Sequence, residues 1–327
     1  MNYLTSVEVG KIVHVAAYQI RLFLGTANAA DFSGDCKASI MAFHQDPNEF
    51  SDEILLEKGA HVDDAHHYPV RIELRGINPK GAAQVVAKGI WGTARKRALT
   101  VLRRELAHHS RPLAIRIAGS SSFEFNRAGV DKSLPIHFLR VAWKDVLDQM
   151  QYKPGRFIDS YNNRIVIAAD GDGTIYDGPK TTHLPLLKDS PVFTPVLKYL
   201  QAGGIFMLVS GNDLGRSFNR LIAGIPPEYH CQLLIAANGG ADLACVGEGI
   251  KPQLIKGYET KSLQYIEHDY QQPLLDIIYI GDDGSPDGND RAAFEAVGSN
   301  RSFLVSSLQD TQMLLEKWMY ERKIDIT

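Results

Sequence analysis

Apolar residues along this chain follow two different rhythms, and the change from one to the other falls near residue 155. In the N-terminal part, YPVRIELRG alternates cleanly: Val70, Ile72 and Leu74 share one face, and Arg71, Glu73 and Arg75 the other. A period of two with one wet face is the pattern of a strand in an antiparallel sheet. KIVHVAAYQIRLFLG and KASIMAF are rich in β-branched and aromatic residues and read as strand-like too. PLAIRIAG and LPIHFLRVAW are expected to be two further strands around a Ser/Gly-rich loop. A helix is predicted from Gly81 to about His109, with Ala94, Ala98, Val101 and Leu102 at helical spacing, and a short one at KDVLDQM. This part reads as α+β.

The C-terminal part is written differently. RIVIAAD, GIFMLVSG, LLIAANGG, LDIIYIGDD and RSFLVSS are apolar throughout rather than alternating, and helical segments separate them. Continuously apolar strands belong to parallel sheets covered by helices on both faces. The predicted class is therefore α/β with a Rossmann-like parallel sheet, preceded by a separate α+β domain. The polar linker QYKPGRFIDSYNN contains Pro and Gly and sets the expected boundary, giving domains 1–155 and 156–327. A chain of 327 residues accommodates two domains of roughly 150 each.

Composition narrows the partners. The formal net charge of -3 argues against a whole-chain attraction to nucleic acid or to an anionic membrane surface. No apolar run approaches the roughly eighteen residues of a membrane span. The start, MNYLTSVEVGK, has neither the basic stretch nor the apolar run of a signal peptide. Cys36, Cys231 and Cys245 form no CxxC pair, which suits reduced thiols and a cytoplasmic setting.

In α/β sheets ligands bind beyond the carboxyl ends of the strands, and here those ends carry chemistry. The first run leads into Asp170-Gly171-Asp172-Gly173-Thr174. Two carboxylates two residues apart can serve one site if the turn curls back, and Gly171 and Gly173 permit that curl. One carboxylate can act as nucleophile and the other as proton donor to a leaving oxygen. DGDGT lacks the later ligands and the Glu of a calcium-binding EF-hand loop. IFMLVSGND ends in Ser210-Gly211-Asn212, where a hydroxyl and backbone N–H groups at a helix start can bind a phosphoryl oxygen. IIYIGDDGSPDGND ends in Asp282 and Asp283, with Asp287 and Asp290 behind. Carboxylates on two strand ends form an all-oxygen site suited to Mg²⁺. An acidic solvated loop would account for Asp287 and Asp290 equally well.

Taken in this order, the DxDGT motif, the strand-terminal Ser-Gly, a lysine and the GDD motif resemble the haloacid dehalogenase superfamily, over about residues 162–322. The resemblance implies a phosphatase core in which Asp170 becomes an aspartyl phosphate. Asp172 is then the general acid and later the base. Ser210 and Gly211, with a lysine, hold the phosphoryl group. Asp170, the backbone carbonyl of Asp172, and Asp282 would ligate Mg²⁺, with Asp283 or Asp287 assisting. An Asp at position 172 favours hydrolysis over carbon–halogen chemistry. For the lysine, Lys261 stands twenty-one residues before Asp282 at the start of KSLQYIEHDY, and Lys256 is the alternative. The spacing from Thr174 to Ser210 and from Ser210 to Asp282 leaves no room for a large inserted cap. DGDGTIYDG is also similar to the motif of IMP-specific 5′-nucleotidases, and the GDD opening to that of trehalose-phosphate phosphatases.

The expected function is thus Mg²⁺-dependent hydrolysis of a small phosphorylated metabolite, a nucleotide or sugar phosphate. A phosphatase acting on a protein or a nucleic-acid end is the second expectation. A third makes the N-terminal part a sensing module that governs a phosphatase output; that part could equally serve as a cap or as the contact of a homo-oligomer. His61, Asp63, Asp64, His66 and His67 read as a polar loop rather than a metal site, and Arg95, Lys96, Arg97, Arg103 and Arg104 as a solvated helix face. The loop from Gly119 to Ser122 lacks the lysine of a nucleotide-binding P-loop.

Overall fold

A computed structural model of the chain describes residues 129–155, 158, 165–177, 184–247, 251–258, 276–286 and 288–324. In the N-terminal part it describes 70–73, 99–100, 103–104, 107, 113–118 and 122–127. The chain divides into two units, 1–128 and 129–327.

In the first unit, β1 (Val70–Glu73), β2 (Leu113–Ala118) and β3 (Ser122–Arg127) form an antiparallel sheet in the order β1-β3-β2. The alternation of YPVRIELRG and the run PLAIRIAG are both strands, as expected. SFEFNR, expected to lie in a loop, is the central strand: Phe123 is in register with Ile72 of β1 and with Ile117 of β2. The runs KIVHVAAYQIRLFLG and KASIMAF, the His/Asp cluster at 61–67, and most of the helix predicted over 81–109 lie outside the described residues.

The second unit opens with a correction. LPIHFLRVAW is not a strand; with KDVLDQM it forms a helix, α1 (Leu134–Met150), kinked at Ala142. Its buried residues include Leu139, Trp143, Val146, Leu147 and Met150, a spacing of three and four that marks one helical face. Ser133 and Pro135 at its start fit the preference for a small polar residue and then proline at a helix N-terminus. The branched and aromatic content of the segment masked this period. The boundary therefore lies near residue 128 rather than 155, and α1 belongs to the second unit. Two described residues of the expected linker are also packed down: Tyr152 and Ile158 are buried, the Tyr152 hydroxyl donates to the Gly203 carbonyl at 2.7 Å, and the Ile158 N–H donates to the Ala202 carbonyl at 2.8 Å.

Seven strands form the second sheet. Its parallel part comprises β4 (Ile165–Asp170), β5 (Ile205–Val209), β6 (Leu233–Ala237), β9 (Asp276–Gly281) and β10 (Ser302–Leu304), and all five were expected. Two short antiparallel strands, β7 (Asp242–Cys245) and β8 (Gln253–Leu254), extend the edge beyond β6 and were not foreseen. The order is β10-β9-β4-β5-β6-β7-β8. Between β4 and β6 lie α2 (Phe193–Gln201) and α3 (Leu214–Ile222); α4 (Arg291–Val297) and α5 (Leu308–Glu321) follow β9 and β10. The fold is α/β with a mostly parallel sheet. Among the described residues, no helix is long and apolar enough to cross a membrane.

Strand order fixes where a site can form. The chain runs outward from β4 to β5 and β6, then returns to place β9 on the other side of β4. That reversal opens a crevice at the carboxyl ends of β4 and β9, where doubly wound sheets bind ligands. Asp170 pairs with Val209 of β5, and Ala169 with Ile280 of β9. Ser210 and Asp282 therefore leave the sheet within two residues of the level of Asp170.

Candidate active site

Asp170 ends β4 with 5 % of its surface exposed. Next to it the chain curls as the glycines allow: the amides of Ile175 and Tyr176 both donate to the Gly171 carbonyl, and the Gly173 amide to Tyr176. Gly173 sits at φ +86°, and a Cβ there would lie 2.2 Å from Asp282 Oδ2. Only glycine lets the turn after β4 approach the carboxylate after β9 this closely. Gly171 lies beside Ser210: a Cβ on it would stand 3.6 Å from the hydroxyl oxygen, an ordinary contact distance.

Ser210 is buried, and its Oγ accepts from the Asn212 amide and the Asn212 side-chain Nδ2, both at 3.1 Å. Its backbone is tied to the loop after β6, because the Gly239 amide donates to the Ser210 carbonyl and the Asn238 amide to the Asn212 carbonyl. Among the described residues, its chain neighbours aside, no atom lies within 4 Å of where a Gly211 side chain would start, so this turn borders open space.

Asp170, Asp282 and Asp290 each offer a carboxylate oxygen, and these lie within 4.8 Å of one another. Asp290 is not a residue of a solvated loop. It is fully buried, and both of its oxygens are occupied. Oδ1 accepts from Lys132 at 2.7 Å and from the Tyr279 hydroxyl at 2.6 Å, while Oδ2 accepts from the amides of Asp282 and Asp283 at 3.1 Å. Asp290 thus fixes the loop that carries Asp282. Asp283 is exposed and accepts from the Ser285 hydroxyl and amide. Asp287 lies outside the described residues.

The cation beside these carboxylates is Lys132, whose Nζ stands 2.5 Å from Asp170 Oδ1 and 2.7 Å from Asp290 Oδ1. Burial works against the lysine's charge, yet the two carboxylates outweigh it and hold its pKa above the ordinary range. Burial, with Asp290 and Asp282 nearby, pushes Asp170 up to about 8 despite Lys132. Asp282 is pushed up to about 6, by partial burial of its carboxyl group first and by Asp290 next. Lys256 is exposed, and its backbone amide bonds the Gln149 side chain. Lys261 lies outside the described residues.

Asp172 faces a second cation, one that nothing in the sequence singles out. Arg220 of α3 is 1 % exposed, and its Nη2 donates to Asp172 Oδ1 at 2.7 Å. Its Nε donates to the Pro185 carbonyl at 2.9 Å, and its guanidinium lies 4.0 Å from the centre of the Tyr176 ring. The other oxygen of Asp172 accepts from Asn212 Nδ2 at 3.4 Å. The spacing of RSFNR does place Arg220 on the same helical face as Ser217, but nothing in it separates a buried arginine from a solvated one.

No family model matches the chain, and no curated protein is similar to it. Among solved structures, an N-terminally truncated, IMP-bound IMP-nucleotidase of Plasmodium falciparum aligns with 57 % of this chain and 72 % of its own, at 10 % identity and a TM-score of 0.34. A likeness this loose transfers no property from one protein to the other.

Proposed function

We propose that this chain is a magnesium-dependent phosphomonoesterase of the haloacid dehalogenase type, acting on a small phosphorylated metabolite through phosphorylation of Asp170. One observation carries the reading. At the reversal point of a parallel sheet, a buried carboxylate is bracketed by a lysine, a strand-terminal serine and a second carboxylate from the neighbouring strand. Phosphoryl transfer needs little more than such positioning and charge compensation.

The donors fit a hard divalent ion. Three carboxylates gather around Lys132, and burial first, then their mutual repulsion, pushes Asp170 and Asp282 up. The ligands would be Asp170 and Asp282, since Asp290 has both oxygens engaged within the protein. All-oxygen donors favour Mg²⁺ over zinc. Bound there, the ion would neutralise charge so that an anionic ester can approach an anionic nucleophile.

The protein's own groups divide the remaining work. Lys132 occupies Asp170 Oδ1, which leaves Oδ2 as the attacking oxygen. Ser210 and the open backbone at Gly211 receive the phosphoryl oxygens. As the bond from Asp170 to phosphorus forms and the ester P–O bond breaks, Asp172 gives its proton to the departing oxygen. Asp172 then takes a proton from water as the water oxygen bonds phosphorus and the bond to Asp170 breaks. One water is consumed, and an alcohol and inorganic phosphate are released.

The connection from Thr174 to Ser210 carries only a 3₁₀ turn (Leu187–Asp189), α2 and β5 among the described residues. A connection too short for a cap domain favours a second reading, in which the phosphoryl group belongs to a protein or nucleic-acid end. A panel of phosphorylated metabolites, phosphopeptides and phosphorylated oligonucleotides, offered to the purified full chain with Mg²⁺, separates the two. The first reading expects small esters to turn over at about 1–10³ s⁻¹, with Asp170→Asn inactive. If no phosphate ester of any class is hydrolysed, both readings fail.

A further inference from the structure

We infer that Arg220 is a positioning residue for the acid step, one that fixes which oxygen of Asp172 carries the proton; this rests on the phosphatase reading above. The guanidinium is held from three sides. Pro185 accepts from Nε at 2.9 Å, the Tyr176 ring packs at 4.0 Å, and Asp172 Oδ1 accepts from Nη2 at 2.7 Å. Arginine is a rigid planar fork, so anchoring one nitrogen and one face leaves the remaining N–H groups little freedom. A guanidinium this buried also needs a counter-charge, and among the described residues Asp172 is the carboxylate within ion-pair distance of it.

The consequence for Asp172 is directional. Oδ1 is committed to a permanently charged donor that cannot accept a proton. Only Oδ2 can carry the proton that leaves with the substrate oxygen. Oδ2 lies on the site side: Asn212 Nδ2, which donates to it at 3.4 Å, also donates to Ser210 Oγ at 3.1 Å. One amide therefore stands between the proposed proton donor and the proposed phosphoryl ligand. Arg220 turns a half-exposed side chain with a free rotor into a group aimed along one line.

Such a residue acts through Asp172 and touches no substrate atom, so its loss should follow the need for a proton. An alkyl phosphate leaves as a poor anion and depends on the acid; a nitrophenyl phosphate leaves readily without it. The parameter to compare is kcat/KM, which covers only the steps up to departure of the leaving group and excludes the later attack by water. In the full-length protein with Mg²⁺, Arg220→Gln should lower kcat/KM for an alkyl phosphate by on the order of 10², and that for p-nitrophenyl phosphate less than about threefold. Arg220→Lys, which keeps charge but not the fork, should recover part of the loss. With Asp172→Asn already in place, Arg220→Gln should add nothing to the leaving-group preference, and that double variant leaves no unpaired buried charge to unfold the protein.

Equal losses on both esters in a folded Arg220→Gln variant would overturn the inference. So would a further drop in leaving-group preference when Arg220→Gln is added to Asp172→Asn. Should Arg220→Gln fail to fold, Arg220→Lys, which keeps a cation opposite Asp172, decides by the same two esters: a loss confined to the alkyl phosphate supports the inference, and equal losses overturn it. Absence of any phosphatase activity in the unmodified protein would sink the phosphatase reading itself, a different result from an unmoved preference in an active enzyme.

Discussion

Lys132 Nζ and Asp170 Oδ1 meet at 2.5 Å although thirty-eight residues separate them, and the lysine comes before the first parallel strand rather than late in the sheet. The turn 129–133, just ahead of α1, brings it there. The Asp131 carbonyl packs against Gly240, where a Cβ would stand 2.0 Å away, and its carboxylate accepts from the Ser133 amide at 2.8 Å. The cation of the site is thus supplied by a segment that reads, in sequence, as the tail of a different domain.

Removing that cation should cost activity first. Lys132→Met leaves the buried carboxylates of Asp170 and Asp290 without compensation and withdraws the donor from Asp170. A fall in kcat of about 10²–10³ is expected, the size of losing one preorganised donor, together with a lowered Tm from the broken buried pair. Lys256→Met, at an exposed position, should stay within about twofold. Steady-state kinetics on both variants check this, and equal activities would remove Lys132 from the site.

Much of this site was legible because β4, β5 and β9 are apolar throughout and stop abruptly at Asp170, Ser210 and Asp282. A strand buried on both faces cannot hide where it ends. Lys132 gave no such signal, for the opposite reason. Its partner set is defined by tertiary contact, and its burial, at 2 % exposure, distinguishes it from the other described lysines. Asp290 was undervalued likewise: GSPDGND looks solvated in sequence, but the amides of Asp282 and Asp283 and the Tyr279 hydroxyl draw its carboxylate inside. The strand expected at LPIHFLRVAW was lost to helix because burial at Leu139, Trp143, Val146 and Met150 outweighs a β-leaning composition.

Fragments should obey the boundary near residue 128. A piece comprising 129–327 keeps α1 and Lys132, whereas 156–327 lacks both. Leu134, Ile136, Phe138, Leu139, Val146 and Leu147 are each at most 2 % exposed, and losing six such side chains forfeits gross burial on the order of 10 kcal/mol. That equals a typical domain's whole stability, about 5–15 kcal/mol. Thermal melts should show a cooperative transition for 129–327 and none for 156–327. If residues 1–128 serve as a cap, the longer fragment should also hydrolyse nitrophenyl phosphate normally while its ranking of metabolites flattens. An unchanged ranking would assign them another role.

Metal and protons should compete for the same carboxylates. Asp170 and Asp282 have folded-state pKa values raised to about 8 and about 6, so the folded protein binds more protons than the unfolded chain in this range. Their contribution to stability is fully present at acid pH, below the unfolded values. It is lost as pH rises through 6 and then 8. Lys132, raised above the ordinary lysine range, changes nothing in that window. Mg²⁺ needs the ionised carboxylates, so its stabilisation should grow as theirs fades. Melting with EDTA and with saturating Mg²⁺ should give a larger gain in Tm at pH 8 than at pH 5. A gain that is equal at the two pH values, or larger in acid, would contradict the assignment of Asp170 and Asp282 as ligands.

Gly173→Ala should separate the architecture of the site from its chemistry. The position combines φ +86°, which L-residues rarely adopt, with a Cβ that would lie 2.2 Å from Asp282 Oδ2 and 2.9 Å from its carboxyl carbon. The backbone cost is on the order of 1 kcal/mol, small beside the displacement forced on Asp282. That carboxylate is the flexible partner, since Asp282 is exposed while the turn is tied by the Gly173 amide to Tyr176 and by the Ile175 and Tyr176 amides to Gly171. The alanine should therefore push Asp282 away and leave Asp170, Lys132 and Ser210 in place. A folded protein with a slightly lowered Tm is expected, its Mg²⁺ requirement raised by about 10-fold or more, as for mutation of a group that orients a metal ligand. Activity at saturating metal should be partly recovered. Titration of activity against Mg²⁺, beside a melt of the metal-free protein, reads both effects. An unchanged Mg²⁺ requirement in Gly173→Ala would mean that Asp282 does not hold the ion.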